Sequence, residues 1–220
     1  MRKQTFVLAL KIHPKWWILT SFIRTFFCSI CGAALYSCAC MSTHKIFLMG
    51  PQGSGKGTQA EKLAAHFGVP AFGMGQLIRD EIATGSEFGK KLYEIILPGN
   101  LVSDEDAAAL LKLRLAKPDT QNGYILDGYP RNLSQYTAFD FDTPTHVIVI
   151  DVSREESLLR LGGRLTCRGC GKVGAMIEGL KPGDRCTCGG EWYQRDDDTP
   201  AAIERRLEIY EKDTSPVIEK

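Results

Sequence analysis

The sequence has almost no excess of charge: 27 Lys and Arg stand against 26 Asp and Glu, a net charge of +1 over 220 residues. That balance excludes a chain-wide electrostatic footprint for nucleic acid, so any phosphate must be held by a local cluster of donors. Internal repeats are lacking too, which excludes a stacked array of modules. Acidic residues are missing from residues 1–40, and that stretch reads unlike the rest of the chain. What remains suits one soluble α/β domain, with 44% hydrophobic and 24% charged residues in a chain long enough to bury a sizeable core.

In the acid-free stretch, Trp16, Trp17, Ile18, Leu19, Phe22, Ile23, Phe26 and Phe27 crowd together, followed by small residues and Cys28, Cys31, Cys38 and Cys40. Three readings compete. A signal or membrane anchor accounts for Arg2, Lys3, Lys11 and Lys15 ahead of the apolar run, although Arg24 interrupts it. An organellar transit peptide is also basic and acid-free, but less aromatic. The third is a translated stretch upstream of a start at Met41, a few residues before the first clear strand. We prefer the third, which sets 1–40 outside the fold and implies a cytoplasmic core domain with no membrane attachment.

From Met41 onward, short apolar runs alternate with helical stretches, the signature of a parallel sheet covered by helices. Strands are expected over 46–49, 124–126 and 147–150. After residues 50–57, Ala60, Leu63, Ala64 and Phe67 recur at helical spacing. The region 74–117 reads as several helices broken at Gly85 and around 98–100, too long for a simple crossover and best read as an inserted helical substrate domain.

Gly50-Pro51-Gln52-Gly53-Ser54-Gly55-Lys56 matches G-x-x-x-x-G-K between a strand and a helix. Glycines let backbone N–H groups converge on phosphate oxygens, the helix start adds a favourable dipole, and Lys56 supplies a mobile positive charge. A plain glycine-rich turn would need none of this context. One departure is informative: Ser or Thr usually follows the lysine, and here Gly57 intervenes before Thr58.

The order G-K-G-T resembles the adenylate kinase family, and the resemblance continues through Phe72-Gly73-Met74-Gly75-Gln76-Leu77-Ile78-Arg79, Leu101-Val102-Ser103-Asp104 and Leu126-Asp127-Gly128-Tyr129-Pro130-Arg131 with Gln135. It extends to Arg160 and Arg164 and to Gln194-Arg195-Asp196-Asp197-Asp198. It implies a three-layer P-loop NTPase-type α/β fold with core segments 41–72, 103–163 and 198–220, a helical AMP-binding insert over 73–102, and a small β-rich zinc lid over 164–197. The implied reaction is ATP + AMP to 2 ADP, in a monomer, with Mg²⁺ accompanying ATP.

By the same resemblance, Gly53, Ser54, Gly55, Lys56, Gly57, Thr58, Arg160 and Arg164 would hold ATP. Met74, Arg79, Asn100, Leu101, Val102, Gly128, Tyr129, Pro130, Arg131, Gln135, Arg195 and Arg206 would hold AMP. Lys56, Asp127, Arg131, Arg164, Arg195 and Arg206 would serve the transfer itself, with Asp127 suited to water-mediated Mg²⁺ binding. Asp197 and Asp198 would brace the lid arginines, and Gly162-Gly163 would serve as a hinge. Met74 stands where the family is usually polar and Gln76 where it is usually Asp, so a kinase for another monophosphate, UMP or CMP, stays open.

Cys167-Arg168-Gly169-Cys170 followed by Cys186-Thr187-Cys188 resembles the zinc-bearing long lid of some adenylate kinases, with Zn²⁺ in a structural role. The second knuckle is C-x-C rather than C-x-x-C: Cys188 aligns with the last ligand, Arg185 falls at the third, and Cys186 is displaced by one. A disulfide pair is the alternative. A zinc-ribbon protein holding nucleic acid or another protein is the rival from a different class, but it leaves the phosphate loop unexplained and has few lid aromatics beyond Trp192 and Tyr193. A family aromatic in the lid would fall near Gly174. The family also continues beyond the position of Lys220 through a last strand and helix, so an exposed sheet edge, lower stability and weaker ATP binding are expected.

Overall fold

The structure, a computed structural model, describes residues 6–11, 43–138 and 142–219. Five parallel strands form one sheet: β1 (Phe6–Lys11), β2 (His44–Met49), β3 (Ala71–Gly73), β4 (Gly123–Asp127) and β5 (His146–Asp151), in the spatial order β1-β5-β2-β4-β3. Strands β2, β4 and β5 are near-continuous apolar runs because both sheet faces are covered, as parallel strands require. Alternation along β2 sends Ile46 and Leu48 to one face and Phe47 to the other.

On the first face lies α1 (Lys56–Phe67), whose Ala60 and Leu63 pack against Ile46, Leu48, Ile125, Ile148 and Ile150. On the second lie α2 (Met74–Ala83), α3 (Glu87–Ile96) and α4 (Asp104–Leu115), which bury Ile78, Leu92 and Leu111 against Phe47, Phe72 and Leu126. Each fully buried leucine or isoleucine here contributes about 1.5–3 kcal/mol. The helices start where their caps dictate: Ser86 Oγ accepts from Gly89 N at 2.9 Å and Ser103 Oγ from Asp106 N at 3.1 Å. The breaks fall at 84–86 and 97–103, where Gly85 and residues 98–100 mark them in the sequence.

Two shorter helices, α5 (Leu133–Ala138) and α6 (Arg154–Gly162), follow β4 and β5. A separate antiparallel sheet, β6 (Arg164–Cys167), β7 (Val173–Ala175) and β8 (Trp192–Tyr193), is centred on β6. The chain then returns through α7 (Pro200–Ile209), a π-helical turn (Tyr210–Thr214) and α8 (Ser215–Ile218). The small sheet builds its own core from Leu165, Trp192, Cys167 and Cys186, with Leu180 against it. Gly174 stands where a family aromatic is expected, and a Cβ there would lie 2.6 Å from Leu180 and 3.1 Å from Trp192. That space is filled by those two side chains instead.

One difference from the sequence expectation is large. Residues 1–40 were expected outside the fold, and a sheet edge was expected to lie exposed for want of the family's last strand, whereas β1 lies at the sheet edge beside β5, with Phe6 opposite His146 and Lys11 opposite Asp151. Phe6-Val7-Leu8-Ala9-Leu10 is a short apolar run of the kind that makes a parallel strand, and the stronger aromatic run after it draws attention away. That aromatic run and its four cysteines lie outside the described residues. Among the described residues no helix is long and apolar enough to cross a membrane.

A chain beginning at Met41 should therefore melt lower. Each backbone hydrogen bond contributes about 1 kcal/mol net, and each kcal/mol shifts the melting temperature of a domain this size by about 2–4 °C. A loss of about 5–10 °C in calorimetry is expected on removing β1. Equal melting temperatures would show that β1 adds nothing to the sheet.

Candidate active site

The C-terminal ends of β2, β3, β4 and β5 deliver the phosphate loop, the start of α2, Asp127 and the start of α6 to one edge of the sheet, where ligands gather in open α/β folds. Gly50 opens the loop with φ 136°, and a Cβ there would lie 2.0 Å from the carbonyl oxygen of Ile150. Only glycine fits. Gly55, with φ 90°, leads directly into α1, and no side chain caps that helix. Its first backbone N–H groups are thus left for an acceptor from outside the helix. Lys56 Nζ reaches back over the loop to the carbonyl oxygens of Gly50 at 2.9 Å and Pro51 at 2.8 Å. Burial lowers its pKa most, the Asp127 carboxylate opposes that, and Arg131 and Arg164 push it lower.

Around this loop the expected arginines converge. Arg164 makes a two-pronged pair with Asp198, Nε at 2.8 Å and Nη2 at 2.5 Å. Arg206 donates to Asp197 Oδ2 at 2.9 Å and to Asp198 Oδ1 at 2.9 Å. Asp198 has no exposed side-chain surface. Arg195 donates through Nε to the buried hydroxyl of Thr166 at 2.8 Å, and its pKa falls to about 10 through burial and then repulsion by Arg164 and Arg79. Arg131 donates to the carbonyl oxygen of Gly128 at 2.8 Å. It is lowered by burial, with Asp127 opposing and Arg206 and Arg79 repelling. Arg79 is lowered by burial as well, with Asp197 opposing and Arg164 repelling.

Six cations, Lys56, Arg79, Arg131, Arg164, Arg195 and Arg206, thus press on one another around the three carboxylates Asp127, Asp197 and Asp198. Such an excess favours the entry of anionic charge among them, and partial exclusion of water strengthens that attraction. Arg160 sits at the rim, its Nε on Glu156 at 2.6 Å and its Nη1 3.4 Å from the carbonyl oxygen of Gly53. Gly57 and Thr58 are exposed in the first turn of α1, while Ser54 is buried.

Asp127 ends β4 below α1: a Cβ on Gly57 would lie 3.8 Å from its Oδ2. Its Oδ1 is buried with no hydrogen-bond partner among the described residues. A buried acceptor facing the phosphate loop fits a hydrated divalent cation carried in with a polyphosphate.

On the opposite side, Met74, Val102 and Tyr129 share one buried cluster, with Gly128, Pro130 and Arg131 beside them. Gln135 is only 2% exposed, and its Oε1 accepts from the backbone N–H of Arg131 at 2.8 Å. Two of the expected pocket residues turn elsewhere. Asn100 Oδ1 accepts from Arg205 Nε at 2.5 Å, and Leu101 lines a cavity of about 450 Å³ with Asn132, Arg205 and Lys212. Of that loop only the Val102 side chain packs with Met74 and Tyr129. Gln76, the other departure, holds Arg79 Nη2 at 3.0 Å and so takes part in aiming the arginine.

Four contributors were not foreseen as such: Thr166 under Arg195, Thr214 on the Arg131 carbonyl at 2.7 Å, and the pair Asp104 and Asn132, joined at 2.9 Å. Asp104 lies in a quoted motif, but nothing local announces that Asn132, 28 residues on, will meet it.

In the small sheet the sulfurs of Cys167, Cys170, Cys186 and Cys188 all lie within 4.8 Å of one another. Cys167 and Cys188 are 3.4 Å apart and Cys170 and Cys186 3.8 Å, too far for bonded sulfur pairs. Backbone N–H groups of Gly169 and Gly190 point at Cys167 Sγ and Cys188 Sγ at 3.3 and 3.4 Å, and backbone donors of this kind bring the Cys167 thiol below its ordinary pKa. Four sulfurs at this spacing fit a tetrahedral metal ion, whose metal–sulfur distance of about 2.3 Å sets sulfurs a little under 4 Å apart.

A family model described as adenylate kinase matches residues 48–220. Among curated proteins, the chain is 41% identical over 182 residues to an adenylate kinase of Syntrophobacter fumaroxidans, covering 79% of this chain and 85% of that one. It is 42% identical over 182 residues to an adenylate kinase of Methanothrix thermoacetophila, covering 79% and 84%. To one of Archaeoglobus fulgidus it is 39% identical over 185 residues, again covering 79% and 84%.

Proposed function

The chain belongs to the adenylate kinase family, a phosphotransferase acting on ATP and AMP, and from that premise we propose how its own residues carry the reaction. An oxygen of the AMP phosphate attacks the γ-phosphorus of ATP, the bond from that phosphorus to the β-bridging oxygen breaks, and two ADP result. The transition state is loose and anionic, so the protein aligns the two phosphates and neutralises them. Lys56 and the N–H groups of residues 53–58 hold the β- and γ-phosphates. Arg79, Arg131 and Arg206 hold the AMP phosphate, and Arg164 and Arg195 bring lid charge onto the transferring group. Arg160 packs beside the ATP base.

The observation that carries this reading is the excess of mutually repelling, partly buried cations at the sheet edge. Asp127 would hold Mg²⁺ through water, and the ion would add charge neutralisation to that of the side chains. The segment 164–197 acts as a lid, bending at Gly162-Gly163, so that ATP is shielded from water until both substrates are bound.

Zn²⁺ would sit among the four cysteines in a structural role, reinforcing the small core of Leu165 and Trp192 beside it. Elemental analysis of purified protein is expected to give about one zinc per chain, falling to near zero in Cys186→Ser with a softened lid and a raised KM for ATP. Thiol titration showing two fewer free thiols than expected, with no zinc, would favour the disulfide instead. AMP is proposed as acceptor because Gln135 and the 127–131 segment can read adenine. A coupled ADP assay with AMP, UMP and CMP offered in turn tests this, and faster turnover with UMP or CMP would overturn it.

A further inference from the structure

We propose that Thr166 is a positioning residue for the transfer: its buried hydroxyl sets the Arg195 guanidinium within the lid, so that the lid closes with that cation already aimed at the migrating phosphoryl group. The inference rests on Arg195 being a lid charge that meets that group. Thr166 is only 5% exposed. It lies on β6, the middle strand of the small sheet, opposite Tyr193 of β8. Arg195 follows two residues after Tyr193, the diagonal position, from which a long side chain reaches across. Its Nε donates to Thr166 Oγ1 at 2.8 Å, and among the described residues that is the one hydrogen bond of the Arg195 side chain.

The neighbouring arginines are held differently. Arg164 spends its Nε and Nη2 edge on Asp198, and Arg206 spends both terminal nitrogens on Asp197 and Asp198. Those acceptors are carboxylates, which aim a guanidinium and also neutralise it. A hydroxyl aims without neutralising. With Nε taken by Thr166, the planar group keeps its Nη1 and Nη2 edge for two oxygens of one phosphoryl group. Threonine suits the task because its branched Cβ restricts χ1, which sets the direction of the hydroxyl.

The backbone that carries Arg195 is fixed on both sides. Gln194 Nε2 donates to the Gly162 carbonyl at 3.3 Å, and the Asp198 N–H donates to the Arg195 carbonyl at 3.0 Å. These bonds place the Cα and leave the direction of the long side chain to Thr166. Both Thr166 and Arg195 belong to the segment 164–197, so their bond moves with the lid. Without the hydroxyl, the guanidinium must be ordered afresh at each turnover. That cost falls on the transition state, where the charge is used.

The test compares steady-state kinetics and melting temperature for the wild type, Thr166→Val, Thr166→Ser, Arg195→Ala and the double variant of Thr166→Val with Arg195→Ala. Valine keeps the branched shape and the strand preference and removes the acceptor. Thr166→Val should lower kcat about tenfold, with KM for ATP and AMP changed less than about threefold and the melting temperature held within a few degrees. Thr166→Ser, which restores a hydroxyl, should recover most of the loss. In the Arg195→Ala background, Thr166→Val should cost nothing further. Parental kcat in Thr166→Val, a serine variant as slow as the valine one, or an equal loss with Arg195 already removed would each overturn the proposal. If Arg195→Ala itself keeps the parental kcat, the assignment of Arg195 to the transferring group fails first.

Discussion

Lys56→Ala is expected to lower kcat by about 10²–10³ while leaving the melting temperature within a few degrees of the parent. The Lys56 ammonium lies among Asp127, Arg131 and Arg164, and its hydrogen bonds stay within the loop, to the carbonyls of Gly50 and Pro51 and, at 3.5 Å, to the Ser54 hydroxyl. Those carbonyls are held by a loop whose shape is set by Gly50 and Gly55, so the fold should survive the loss. What is lost is a charge placed where the migrating phosphoryl group passes. Because that charge matters most in the transition state, the deficit should fall mainly on kcat rather than on KM. Steady-state kinetics with both substrates varied would separate the two.

Asp198→Ala is expected to be the most damaging single change to stability, by about 3 kcal/mol, which is about 6–12 °C for a domain of this size. Asp198 is the shared acceptor of Arg164 at the root of the lid and Arg206 on α7, and removing it leaves two largely buried guanidinium groups short of a partner. Its pH dependence has a definite sign. Burial alone would raise the Asp198 pKa, but Arg164 and Arg206 outweigh burial and bring it below the usual value. The folded state therefore resists protonation more than the unfolded chain does. The stabilisation is fully present above the unfolded value of about 4 and is lost as pH falls below that through the folded value. In Asp198→Asn the acid limb of the melting curve should be flatter than in the parent, which calorimetry between pH 5 and pH 2 would reveal.

How much of this was legible in the sequence depends on how local each signal is. The phosphate loop is contiguous, and its glycines at Gly50 and Gly55 have a conformational need that no other residue meets. The central strands were legible because burial on both faces makes them continuous apolar runs. Strand β3 was not, since Ala71-Phe72-Gly73 is three residues and gives no period to read. Strand β1 was masked by a louder apolar run after it. The arginines could be assigned by family position, but their pairing with Asp197 and Asp198 is tertiary.

The second cysteine knuckle shows the limit of alignment. Cys186 is displaced by one residue, yet its thiol joins the other three because Gly189 turns with φ 85° and Gly190 packs against Gly169 and Cys167 too closely to admit a Cβ. The left-handed turn at Gly189 and the missing Cβ at Gly190 absorb the missing residue. Asn100 and Leu101 show the converse. Family position put them at the base pocket, but Arg205 and the cavity beside α7 take their side chains.

The central claim, that the cation cluster moves a phosphoryl group from ATP to AMP, is tested most directly by following a labelled γ-phosphoryl. ATP labelled at that position, incubated with unlabelled AMP and Mg²⁺, should place the label at the β-position of ADP, with little transfer by Lys56→Ala. Label appearing only as inorganic phosphate, or ADP formed equally fast by Lys56→Ala, would contradict it.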